Sequence, residues 1–134
     1  MTKIFNSLDE IQKYYNEESN TYIFKEYGMC INLVVFNFDL NVKANIYAWN
    51  IYARNINALN IDAKDISACY IDVNDIKAHD ISAASIKANN INYYAVCYAY
   101  ENIKCKSIKG RKYNAKHFAL DGRISIDGSI ETIK

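Results

Sequence analysis

Isoleucine stands at 46, 51, 56, 61, 66, 71, 76, 81, 86 and 91, ten times in phase at a spacing of five. Alanine follows two places later at 48, 53, 58, 63, 68, 78, 83 and 88, and Val73 and Tyr93 occupy the same slot. Before the isoleucine comes Asn45, Asn50, Asn55, Asn60, Asp65, Tyr70, Asp75, Asp80, Ser85 or Asn90, so the unit reads [N/D]-I-x-A-x. No helix has this period. An α-helix turns by ~100° per residue, and every fifth residue would drift around it without forming an apolar stripe. Within a unit, Ile-x-Ala is the in-out-in alternation of a short strand. The pair x-[N/D] then turns the corner, a place that suits Asn and Asp because they tolerate left-handed backbone and bond nearby backbone groups. Strand and corner in alternation predict a coiled wall filled with Ile and Ala, a β-helix.

The flanks vary this pattern. After Ile91 the phase slips: Ile103, Ile108, Tyr113 and Phe118 keep the spacing of five but come two residues late. A bulge or short loop is therefore expected within 93–102, and a shift of two leaves the strand faces unchanged. Ile124 and Ile130 are six apart, which predicts wider, glycine-cornered turns over 122–134, with Gly122 and Gly128 as turn residues. At the other end, Ser7 with Glu10 reads as a capping box opening a helix of about 8–16, with Leu8, Ile11, Tyr14 and Tyr15 on one face. Strands are expected at about 21–27 and 31–42, turned by Gly28, the second alternating at Phe36, Phe38, Leu40 and Val42. Residues 1–35 then form a cap and 36–134 the solenoid, regular over 45–94 and again over 103–120. A solenoid needs such a cap because its bare end is a sticky edge.

The in-phase units resemble the pentapeptide-repeat family over roughly residues 36–122. In the family unit a small residue stands two before the bulky one with Asp or Asn between, whereas here the bulky residue comes first. That variant looks like repeat proteins of phages and mobile elements in low-GC bacteria. The resemblance implies an all-β fold, a right-handed quadrilateral β-helix with one pentapeptide per face, carrying here a small N-terminal helix-plus-strand cap. It also implies binding without catalysis, since members of the family include DNA mimics that protect topoisomerases and an inhibitor of CRISPR effectors.

Composition narrows the chemistry. Half of the 134 residues are apolar and the formal charge is +1, so neither disorder nor a general pull toward nucleic acid is expected. The charge is uneven: residues 1–44 carry six acids and four bases, 45–100 five and four, 101–134 four and eight. No apolar run approaches the length of a membrane span, and the start has no apolar stretch of the secretory kind. Cys30, Cys69, Cys97 and Cys105 lack C-x-x-C spacing and a cluster of His, which points to reduced thiols and a cytoplasmic setting in a bacterial host. No metal or other cofactor is expected, and no enzyme. His79 and His117 are far apart in the chain. Asp65, Asp75 and Asp80 share the slot that Asn also fills, which makes them corner residues rather than an acid–base pair. Cys69 occupies an outward position with no fixed basic neighbour.

What remains is the surface of a rigid rod. Tyr47, Trp49, Tyr52 and Arg54 fall within one stretch, and aromatic–arginine clusters are the material of binding hot spots. They are the candidate contact with a protein partner that the chain would dock on and block, as a counter-defence or anti-CRISPR-like inhibitor encoded by a phage or mobile element. DNA mimicry is disfavoured, because lysines interrupt the acidic positions. Lys109, Arg111 and Lys112 are the candidate nucleic-acid contact, itself disfavoured since lysines on a β-wall guard edges. Ile130 and Ile133 are the candidate contact for a homodimer through the C-terminal end. The alternative function is a structural, self-assembling solenoid module without a foreign partner.

Overall fold

A computed structural model describes residues 2–24, 33–126 and 129–132. The repeats form three-residue strands at Asn45–Tyr47, Asn50–Tyr52, Asn55–Asn57 and Asn60–Asp62, then longer runs that bend through the corners at Asp65–Asp72, Asp75–Lys87 and Asn90–Ala99. Each central isoleucine from Ile46 to Ile91 is buried. Parallel pairing of the repeat strands stacks them into a β-solenoid of about five turns with one short helix at its N-terminus.

The register counts the sides. Ile46 pairs with Ile61, Ile51 with Ile66, Ile56 with Ile71 and Ile61 with Ile76, a constant offset of 15 residues. Three units close a coil, so the regular part is three-sided. The four-sided coil expected from the family resemblance would instead have placed Ile46 on Ile66. Both coils stack like on like, because every unit resembles every other. On the first face the isoleucine ladder runs Ile46, Ile61, Ile76, Ile91, Ile108. On the second it runs Ile51, Ile66, Ile81, Cys97, and on the third Ile56, Ile71, Ile86, Ile103, Ile124. Beside each lies a ladder of mostly alanine. Isoleucine suits this wall: it is stiff at χ1, favours extended backbone, and contributes ~1.5–3 kcal/mol on burial.

The solenoid begins earlier than 36. Thr21–Ile23, Leu33–Phe36 and Leu40–Asn41 already pair with the first, second and third faces of the next coil. The expected single strand over 31–42 is thus two strands, broken where residues 37–39 turn a corner. The expected strand over 21–27 is described only as Thr21–Ile23, and Gly28 lies outside the described residues. In the inward slots that later hold alanine, this end carries Phe5, Phe24 and Phe36, packed with Tyr14 at ring separations of 5.0–5.7 Å. The large rings close the interior beneath a helix shorter than expected, Leu8–Ile11 followed by a 3-10 turn Gln12–Tyr14. Glu10 accepts the Ser7 N–H at 3.2 Å, as the capping box requires. Ile11 and Tyr14 are buried, while Leu8 and Tyr15 are exposed, and Tyr15–Asn16 pairs antiparallel with Thr21–Tyr22.

The two-residue slip occurs in two steps. Asn90–Tyr93 keeps the offset of 15, Val96–Ala99 moves to 16, and Ile103 moves to 17. One residue enters at each of two successive corners, so no strand is turned over. The next coil widens further, to 20 at Lys116–Ala119 and 21 at Ile124. The added residues loop out at 111–115, which leaves Tyr113 fully exposed rather than in the wall. Phe118 packs on the outer Tyr98, and His117 takes the inward register opposite Cys97. In place of the expected six-residue turns, Ser129–Thr132 pairs antiparallel with Arg123–Ile126, and Gly128 lies outside the described residues. Gly110 is required by contact: a Cβ there would meet Ala115 Cβ and stand 2.9 Å from the Tyr93 ring.

The corner Asn and Asp residues do not rely on left-handed backbone; among the described residues only Asn20 has positive φ outside glycine. Their side chains bond along the solenoid instead. Asn60 Nδ2 donates to Asn45 Oδ1 at 3.0 Å, the Asp75 N–H to Asn60 Oδ1 at 3.2 Å, Asn90 Nδ2 to Asp75 Oδ1 at 2.9 Å, and Ser107 Oγ to Asn90 Oδ1 at 2.6 Å. Asn60→Ala removes two rungs of this polar ladder. The expected loss in thermal unfolding is about 1 kcal/mol, against less than about 0.5 for the neighbouring outward Asp62→Ala.

Candidate binding surface

The three-sided coil separates residues that the sequence places side by side. Tyr47 lies in the outer row of the first face, Trp49 at the corner between first and second faces, Tyr52 in the outer row of the second face, and Arg54 at the next corner. Adjacent faces of a triangle point in widely different directions, so these four do not share one flat surface. Arg54 is drawn to Asp39, with Nε 3.6 Å from its carboxylate, both well exposed.

The fold assembles a different group around Trp49. A 15-residue coil sets Lys64, His79 and Tyr94 successively above it, and after the slip Arg111 follows. The stack mixes aromatic and cationic groups. Lys64 Nζ lies 5.7 Å from the centre of the Trp49 ring, the His79 and Tyr94 rings are 5.3 Å apart, and the Arg111 guanidinium is 5.8 Å from the Tyr94 ring. Each cation over a ring gains ~0.5–1 kcal/mol at an exposed site. Beside this column runs a groove of about 400 Å³ whose lining includes Tyr47, Trp49, Lys64, Lys77, His79 and Arg111. Asp62 is the one acid on it, against Lys64, Lys77 and Arg111, so the groove is positive. The sequence reading did not bring Lys64, His79 and Tyr94 together with Trp49, because the chain was read at a spacing of five. At a spacing of 15 from Trp49 they stand in line.

The candidate basic contact is not a single patch. Arg111 turns back onto the wall, donating from Nη2 to the Ala78 carbonyl at 2.8 Å and from Nε to the Tyr93 carbonyl at 3.4 Å. Lys109 belongs to the outer row of the first face, opposite Asn92, and Lys112 to the exposed loop. Asp75 and Asp80 accept hydrogen bonds from Asn90 and from the Val96 N–H. His117 Nδ1 and the Tyr93 hydroxyl, 2.8 Å apart, share a hydrogen bond inside the wall. Burial, and then Cys97, pushes the Tyr93 hydroxyl up to about 12. Burial, and then Cys105, pushes the Cys97 thiol up to about 12, and burial pushes Cys105 up to about 11. These thiols are protonated and inert at neutral pH. Cys69 is exposed. Ile133 and Cys30 lie outside the described residues, and the strand of Ile130 pairs back on Ser125. Among the described residues no group of three His, Cys, Asp or Glu is placed to hold a metal ion, and no helix is long and apolar enough to cross a membrane.

Fold and surface together define a β-solenoid with strands repeating about every five residues, similar in plan to pentapeptide-repeat proteins. Compared with known proteins, the chain matches no family model, no curated protein and no solved structure.

Proposed function

We propose that this chain is a non-catalytic binding protein of the pentapeptide-repeat type, encoded by a phage or mobile element, that docks on a host protein and blocks it. The observation that carries this reading is the column Trp49, Lys64, His79, Tyr94 and Arg111 beside a positive groove. A rigid wall holds these side chains in fixed order at ~4.8 Å per coil, so little ordering entropy opposes their use. Aromatic and cationic anchors on such a scaffold suit an acidic, aromatic-bearing protein face, and a blocking role needs no chemistry beyond occupancy.

The test is a tagged pull-down from the lysate of a low-GC bacterial host, comparing the native chain with two variants. A host protein retained in near-stoichiometric amount is expected, lost with Trp49→Ala plus Lys64→Glu and kept with Lys87→Ala plus Lys104→Ala on the third face. Recovery of the bait alone, or of a partner indifferent to the corner variant, overturns the proposal.

A further inference from the structure

Independently of the corner column, the three faces differ in charge. The outer row of the first face includes Asp62, Lys77 and Lys109, and that of the third Asp72, Lys87 and Lys104. The outer row of the second face runs Ile4, Val35, Tyr52, Ser67, Ser82, Tyr98 and Phe118, with no charge. The exposed Tyr70, Tyr100 and Leu120 lie at the edge toward the third face, beside the charged Arg54, Glu101 and Asp121. A sheet face open to water ordinarily carries charged side chains, and a long uncharged one with exposed aromatics marks an interaction surface.

From Val35 to Phe118 the row also reads nearly the same in both directions: apolar, Tyr, Ser, then Ser, Tyr, apolar. We infer that the second face is the interface of a homodimer in which two solenoids lie face to face and antiparallel, related by a two-fold axis between the coils of Ser67 and Ser82. Such an isologous contact requires a surface that complements its own reverse. The axis sets Ser67 on the partner's Ser82, Tyr52 on the partner's Tyr98 and Val35 on the partner's Phe118. At the edge toward the third face Arg54, which has Asp39 of its own chain at 3.6 Å, comes level with the partner's Glu101, which accepts from its own Ser85, twice over by symmetry. At the opposite edge Asp65 comes level with the partner's Asp80, with Lys64 beside the pair. A parallel arrangement would instead set Arg54 beside the partner's Asn50 and lose the attraction. Six strands at ~4.8 Å, each about four residues across at ~3.3 Å, make a face of roughly 400 Å² before side-chain relief and the edge tyrosines are added. Two such faces bury roughly 800 Å² before those additions, the size of a weak, concentration-dependent pair.

Sedimentation velocity on the full chain over a concentration series tests this. A dimer is expected, dissociated by Ser67→Lys with Ser82→Lys, which touch only the outer row and leave the thermal transition in place. Arg54→Glu and Glu101→Arg should each weaken it roughly tenfold, and the two together should restore it. A monomer at every concentration, a dimer indifferent to the serine variants, or no rescue by the double charge reversal overturns the inference.

Discussion

Ile71→Asp is expected to abolish the cooperative thermal transition, and Ile71→Ala to lower stability by about 2–4 kcal/mol in denaturant titration. Ile71 stands midway in its ladder, between Ile56 below and Ile86 above, and is 2 % exposed. In a stack where each coil touches only its neighbours, a central isoleucine serves two interfaces at once. Alanine leaves a gap that the ladder hydrogen bonds on both sides prevent from closing. Aspartate must either ionise where no cation is buried or remain protonated without a designed partner, and either cost rivals the stability of a whole domain. The terminal Ile124, with parallel contact on one side only, should cost less on the same change to alanine. Equal losses at the two positions would mean that the coils do not share their stability through neighbours.

Alkaline pH is expected to destabilise the protein progressively above pH 9. Cys97 is fully buried, and its thiol is raised from 9.0 to about 12, first by burial and then by Cys105. In the unfolded chain this thiol loses its proton as pH passes 9, whereas the folded chain keeps it to about 12. The unfolded state therefore binds fewer protons across that window, and stability falls as pH rises. The loss is at most about 1.4 kcal/mol per pH unit from this group. Cys105 acts in the same direction between 9 and about 11. Below pH 9 both thiols are protonated in either state, and their contribution is fully present. Thermal unfolding from pH 7 to 11 should show the melting temperature dropping above pH 9, with a shallower drop in Cys97→Ala. An unchanged slope in that variant would assign the alkaline loss to other groups.

Legibility differed from element to element. The inward Ile and Ala positions from 46 to 91 were readable because burial repeats with the strand alternation. The slip after Ile91 was readable in size, since two residues had to be absorbed without turning a face over. Its division between two corners was not, because either corner can take one residue at little cost. Tyr113 looked inward by spacing alone, yet a coil lengthened to an offset of 20 carries its extra residues outward. The first coil was hidden for a different reason. Its strands hold Phe24, Phe36 and Leu40 in place of the repeat's residues, and spacings of 24, 17 and 16 to the next coil disguise its membership.

By itself, the sequence determined the backbone habit: short strands, polar corners, an interior of Ile and Ala, and parallel stacking of like on like. The number of sides was decided only in three dimensions. A period of five divides both 15 and 20, so identical units pair equally well in a triangle or a square, and only closure of the coil on its own side chains selects one. That choice also decided the surface. With three units per coil, Trp49, Lys64, His79 and Tyr94 come into one column, while Tyr47 and Tyr52 part onto different faces. Neighbours along an outward row are set by the length of a coil, which no single repeat contains.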